Sequence, residues 1–171
     1  MPVATEKYSY FMKKALDQAE RALAEGEFPV GCVMVYQDKI VATGTRKGTV
    51  ADKKNEIDHA EMLALRRLIE FKQPVDPGEI TVFCTMEPCL MCFAALMLAG
   101  VSTIVFAYED VMGGGTGCDR SRLNPLYKNS TIEVVPRLMR KESLKIFQAY
   151  FSNPANHYWH GSLLAEYTLA Q

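Results

Sequence analysis

The sequence is poor in histidine and tryptophan, with three of one and a single copy of the other in 171 residues. It also lacks a long apolar run. The longest, Leu90 to Val101, falls short of the about 20 residues a membrane-spanning helix needs. That stretch is therefore read as a buried helix. The opening residues MPVATEKYSY show no apolar core of the kind a secretory signal carries. An excess of either charge is missing too: 19 Lys and Arg stand against 20 Asp and Glu. Neither nucleic acid nor an anionic membrane is offered a strong electrostatic footprint. With no repeat, low-complexity tract or linker, residues 1–171 are read as one domain whose last part, 152–171, is a tail and helix. Five cysteines is an odd number. Without an export signal they predict thiols or metal ligands rather than disulfides, and a cytoplasmic setting.

The pattern that is present alternates strands with helices. From Tyr8 the apolar residues Phe11, Met12, Ala15, Leu16, Ala19 and Leu23 form a helical stripe, with Gly26 placed to cap it. FPVGCVMVY is apolar on both faces, as a central strand is, and Gln37-Asp38-Lys39 turns it back into IVATGT, predicting a hairpin over 29–45. A polar loop, RKGTVADKKNEI, follows. Asp58 reads as a helix N-cap with Glu61 completing a capping box, and that helix is expected to run through LALRRLIEF towards Pro74. ITVFCTM and STIVFAY are further buried strands, separated by a helix in which Pro88 occupies the first turn and which runs to Gly100. TIEVVP is shorter and predicts an edge strand, and two helices are expected over 138–151 and 161–169. The sum is a three-layer α/β/α sandwich around a mixed five-stranded sheet.

One constellation carries chemistry. Cys89 and Cys92 are three apart on a helix, so their side chains share one face and can grip a single ion. They sit in its first turn, where the positive end of the helix dipole favours thiolate. His59 also begins a helix. Two thiolates and an imidazole select zinc, and three protein ligands leave one tetrahedral position for water. Glu61, two positions beyond His59, diverges from it and suits reaching that water better than binding the ion. Other readings compete. Cys89 and Cys92 can instead be joined with His157 and His160 in a closed structural site, although His-x-x-His is tighter than the usual finger spacing. Cys32 and Cys84, in apolar strands, read as small core residues. Glu61 can cap its helix and also act as a base.

His59-Ala60-Glu61 followed by Pro88-Cys89-x-x-Cys92 resembles the zinc-dependent cytidine/adenosine deaminase superfamily. The segments EGEFPVG, TMEPCLMC and TIVFAYED look closest to its tRNA adenosine deaminase and guanine deaminase branches. The resemblance implies hydrolytic deamination at one zinc ion held by His59, Cys89 and Cys92. Glu61 would take a proton from water and return protons to a ring nitrogen and to departing ammonia. It also implies substrate contacts along the matching segments, at Pro29, Val30, Gly31, Glu87, Pro88 and Asp110, and a homodimer.

Three places depart from the family pattern. Arg46 stands where these relatives usually carry an asparagine that contacts the base, Asp58 precedes the histidine where a small residue is common, and DVMGGGTGCD is unusually rich in glycine. Arg46 can donate to a carbonyl, carboxylate or phosphate, or be a solvated loop residue. Trp159 can cover a flat base or simply pack the terminal helix. The near-neutral charge, the non-basic tail and Arg46 favour a small amino-heterocycle such as a purine base as substrate. Adenosine in a tRNA anticodon loop is the second expectation. A zinc-stabilised binding protein without catalysis is the third.

Overall fold

The computed structural model describes residues 2–50 and 54–171, with side chains from Glu6 onward. Residues 51–53 of the polar loop lie outside the described residues. In chain order the elements are α1 (Pro2–Ala24), β1 (Gly31–Tyr36), β2 (Lys39–Thr45), α2 (Ala60–Ile69), β3 (Thr81–Met86), α3 (Leu90–Leu98), β4 (Thr103–Tyr108), α4 (Pro125–Lys128), β5 (Glu133–Val135), α5 (Arg140–Ser152) and α6 (Leu163–Leu169). The five strands lie in the order β2-β1-β3-β4-β5. β1 is antiparallel to both of its neighbours, whereas β3, β4 and β5 run parallel. The expected hairpin, mixed sheet and edge strand are all present.

Continuous apolar strands follow from burial on both faces. Cys32 and Met34 of β1, Val82, Cys84 and Met86 of β3, and Ile104 and Phe106 of β4 belong to the core that includes Ala60, Ala64 and Leu65 of α2 and Phe93 and Leu96 of α3. The alternate residues Val33, Val35, Phe83, Val105 and Ala107 point the other way and pack with Phe11, Met12, Ala15 and Leu16 of α1. Cys32 and Cys84 face each other across β1 and β3 as fully buried thiols, the core role their strands predict. Phe28, just before β1, gathers Phe147, Tyr150 and Phe151 of α5 and Tyr158 of the tail at ring-centroid distances of 5.3–5.9 Å.

Several boundaries differ from expectation, each for a local reason. The N-cap of α2 is His59 rather than Asp58, whose carboxylate accepts from Asn55 Nδ2 at 2.6 Å and faces Arg66. The capping box therefore does not form. α2 ends at Ile69, well before Pro74. Pro88 lies outside α3, which is capped by Cys89 and stops at Leu98, and Gly100 takes a left-handed φ of 77° two residues on. α3 is buried on one face only, through Cys92, Phe93 and Leu96, while Leu90 and Leu98 are exposed. α5 starts at Arg140 because Arg137 and Met139 adopt left-handed φ values of 66° and 56°. None of the described helices is long and apolar enough to cross a membrane.

Two glycines set the frame for the site. A Cβ on Gly44 of β2 would lie 1.8 Å from the carbonyl oxygen of Ala60, so only glycine lets α2 start this close to the sheet. A Cβ on Gly115 would lie 2.6 Å from the backbone of Leu90, so the glycine-rich segment after β4 packs tightly on the first turn of α3. That segment is wrapped onto the site. Glu87 holds it, its carboxylate accepting from the amides of Asp110 at 3.2 Å and Thr116 at 3.3 Å and from the Thr116 hydroxyl.

Candidate metal centre and active site

His59 and Cys89 occupy the same position at the starts of two neighbouring helices, each with extended backbone as an N-cap. Cys92 follows one turn into α3. Their side chains converge: His59 Nδ1 lies 3.6 Å from Cys89 Sγ and 3.5 Å from Cys92 Sγ. One ligand atom from each falls within 4.8 Å of the others, and these three form the only such group of histidine, cysteine and acidic residues among the described residues. A tetrahedral zinc ion, with Zn–S of ~2.3 Å and Zn–N of ~2.0–2.1 Å, would hold nitrogen and sulfur about 3.5 Å apart. The observed separations fit that ion. His157 and His160 lie on the exposed tail, outside this group, so the closed four-ligand arrangement is not formed.

The electrostatics of the ligands favour a thiolate at Cys89 beside a thiol at Cys92. Its hydrogen bond with Cys92 draws the Cys89 thiol down to about 4, with His59 adding to the effect, whereas the same bond and burial hold Cys92 above the ordinary thiol range. Metal binding at thiolates releases the thiol proton. Glu61 is buried, 3% exposed, and its Oε2 lies 3.6 Å from Cys92 Sγ. Burial pushes its carboxyl upward, opposed by the charge of His59. A carboxyl raised in this way suits a group that must both take and return protons near neutrality.

Beside these residues opens a cleft of about 140 Å³. Of the expected substrate contacts, Arg46, Val30, Glu87, Asp110 and Trp159 line it together with His59 and Glu61. Pro29, Gly31 and Pro88 do not. The amide of Gly31 donates to Thr85 Oγ1 at 3.0 Å, and the carbonyl of Pro88 accepts from Gly115 at 2.9 Å, so both work as framework. Arg46 is no solvated loop residue. It is 2% exposed, and its Nη1 reaches the carbonyls of Asn55 at 2.7 Å and Asp58 at 3.0 Å. Only Nη2 is turned elsewhere, to Glu56 Oε2 at 3.2 Å. Glu56, Tyr158 and Phe28 also line the cleft and escaped the sequence reading. Glu56 sits in a polar loop and Tyr158 in the irregular segment NHYWHG, where periodicity gives no orientation; their nearness to His59 and Trp159 was the only signal.

A family model described as the cytidine and deoxycytidylate deaminase zinc-binding region matches residues 5–108. The chain belongs to the cytidine and deoxycytidylate deaminase family. It is a zinc-binding deaminase, a hydrolase of C–N bonds in nucleobases or nucleosides, and the non-catalytic reading falls away. Among this deaminase's relatives, the tRNA-specific adenosine deaminase of Streptococcus pyogenes serotype M18 (strain MGAS8232) is 30% identical over 151 residues, covering 88% of this chain and 94% of that protein. The tRNA-specific adenosine deaminase 2 of Xenopus laevis is 37% identical over 119 residues, 66% of this chain and 67% of that one. Of solved structures, one from studies of A-to-I editing by tRNA:A34 deaminases at the wobble position matches with a TM-score of 0.64 and 26% identity, over 80% of this chain and 98% of that chain.

Proposed function

We propose that this deaminase acts on a small amino-substituted heterocycle, a free purine base such as guanine or adenine, and releases ammonia. The observation that carries the reading is the acidic lining of the cleft. Four acidic side chains, those of Glu56, Glu61, Glu87 and Asp110, line it against a single guanidinium, that of the buried Arg46, and burial raises the carboxyls of Glu61 and Asp110. A phosphodiester chain entering such a site loses the cationic contacts that supply most nucleic-acid affinity. A neutral base rich in N–H donors meets acceptors instead. Tyr158 and Trp159 wall the cleft from the tail, and their aromatic side chains suit a flat ring.

Bound zinc, held by His59, Cys89 and Cys92, supplies Lewis acidity and lowers the pKa of water. The rest is done by the chain. Glu61 takes one proton from the attacking water and gives it to the ring nitrogen, then takes the hydroxyl proton of the adduct and gives it to the leaving amino group, and so ends unchanged. Water adds to the ring carbon, the carbon–nitrogen bond breaks, and ammonia and a carbonyl result. The buried carboxyl of Glu61 is the proton carrier in every step.

The second reading is deamination of adenosine in a tRNA anticodon loop, supported by the names of the relatives at 30–37% identity. Ammonia release from a panel of free bases, nucleosides and an anticodon stem-loop separates the two. Turnover confined to the stem-loop would end the small-molecule reading. We also propose a homodimer, supported by the exposed apolar side chains Ile69, Leu90 and Leu98 on α2 and α3. Light scattering on the purified chain measures it. A cytoplasmic setting accords with ligand thiols that must stay reduced.

A further inference from the structure

Arg46 is the largest of the fully buried side chains, and a guanidinium in the interior demands partners. Its partners join three parts of the chain. Nη1 takes loop carbonyls, including that of Asp58, the residue before His59. Nη2 donates to Glu56 Oε2 at 3.2 Å and lies 3.5 Å from the Tyr158 hydroxyl. Tyr158, 102 residues beyond Glu56, donates to the same Oε2 at 2.8 Å. The Tyr158 ring meets Phe28 on one side and Trp159 on the other, at centroid distances of 5.3 Å each. Trp159 follows in a left-handed conformation, φ 57°, and is 44% exposed over the cleft.

We propose that Arg46, Glu56 and Tyr158 form a latch that holds residues 156–162 against the cleft and thereby sets the size of substrate admitted. Latched, the site takes a bare heterocycle. Released, it takes the same heterocycle carrying a sugar. The inference rests on the small-heterocycle reading above and adds to it the residues that impose the limit. Hydrogen bonds are the means of closure: both that fasten Tyr158 end on or beside a charge, the stronger kind. The rest of the segment is held by packing on Phe28 and by α6. Tyr158 is a positioning residue here. It acts on substrate through the placement of Trp159.

The test uses the full-length, zinc-loaded chain and Tyr158→Phe, which keeps the ring packing and removes only the hydroxyl. Ammonia release is measured from guanine and adenine and from their nucleosides, hydrogen exchange is followed over 156–162, and emission is recorded from Trp159, the chain's one tryptophan. Losing a charge-assisted hydrogen bond is expected to raise the nucleoside-to-base ratio of kcat/KM by about tenfold. Exchange over 156–162 quickens, Trp159 emission shifts, and zinc content stays as in the wild type. Glu56→Gln, which keeps an acceptor but loses the charge, moves the ratio in the same direction by less. A wild-type enzyme that deaminates bases, with Tyr158→Phe showing the same ratio or unchanged exchange, overturns the latch and leaves the small-heterocycle reading standing. A wild type active on the stem-loop alone removes that reading first.

Discussion

Glu61 and Cys92 meet 3.6 Å apart, a carboxylate oxygen against a ligand sulfur, although they come from different helices. The contact puts the proposed proton carrier and one candidate metal ligand in touch, so their contributions can be separated only by substitution. Glu61→Gln keeps the size of the side chain and its reach towards Cys92. We expect it to retain zinc by elemental analysis and to lose ammonia release by roughly 10²–10⁴-fold, the usual contribution of a positioned acid–base group. An active Glu61→Gln enzyme would remove Glu61 from the proposed mechanism.

Gly44→Ala tests how closely α2 must approach the sheet. The added methyl would sit 1.8 Å from the Ala60 carbonyl oxygen, on backbone that cannot rotate away. Overpacking of this kind costs about 1–3 kcal/mol, which for a chain of this size lowers the melting temperature by roughly 2–4 °C per kcal/mol. Because the displaced turn begins at His59, zinc should also leave the variant faster when it is challenged with a chelator.

Arg46→Ala strips the carbonyls of Asn55 and Asp58 of a buried donor. The Asp58 carbonyl keeps the Lys47 amide at 3.2 Å, whereas that of Asn55 loses its donor, a cost of about 1–3 kcal/mol unless water enters. The expected result is a less stable protein with weakened zinc retention as well as a raised KM, read by thermal unfolding, metal titration and kinetics. An Arg46→Ala enzyme changed in KM alone would assign Arg46 to substrate only.

The pair Arg140–Glu109 gives a pH prediction. Its hydrogen bonds from Arg140 hold the Glu109 carboxyl down at about 2 instead of the ordinary 4.5, and the Tyr167 hydroxyl of α6 donates to the same group at 2.7 Å. A carboxyl with a depressed folded pKa adds stability that is complete above its unfolded value and drains away as pH falls through the folded one. The stability difference between wild type and Arg140→Ala, measured by urea unfolding, should therefore be constant at neutral pH. It should shrink as the pH drops from about 4.5 towards 2. A difference that ignores pH in that window would show the ion pair to be idle.

Much of this was legible in the sequence because the informative residues obey simple periods. The apolar strands around Cys32, Cys84 and Phe106 announced burial on both faces, and the spacing of Cys89 and Cys92 announced a shared ligand face. What stayed hidden depends on contacts between distant segments. Asp58 has the chemistry of a helix cap, but Asn55 and Arg66 compete for its carboxylate, and the chain turns helical one residue later than its cap signal. Arg46 stayed open between a substrate donor and a solvated loop arginine because nothing local reveals that the segment after it folds back over the guanidinium. Gly115 reads as slack in one dimension and as a close fit in three.

The walls of the cleft draw on helices, on loops and on the end of the chain. The metal ligands and Glu61 are fixed to helices rooted in the sheet, whereas Tyr158, Trp159 and Leu164 arrive from the last stretch of chain. On the proposed latch, reactivity belongs to the helix starts, and selectivity to the end of the chain together with Arg46 and Glu56. Exchanging the segment from 156 onward should then retarget the enzyme while leaving its chemical engine intact, which makes this tail the natural place to graft a new substrate preference.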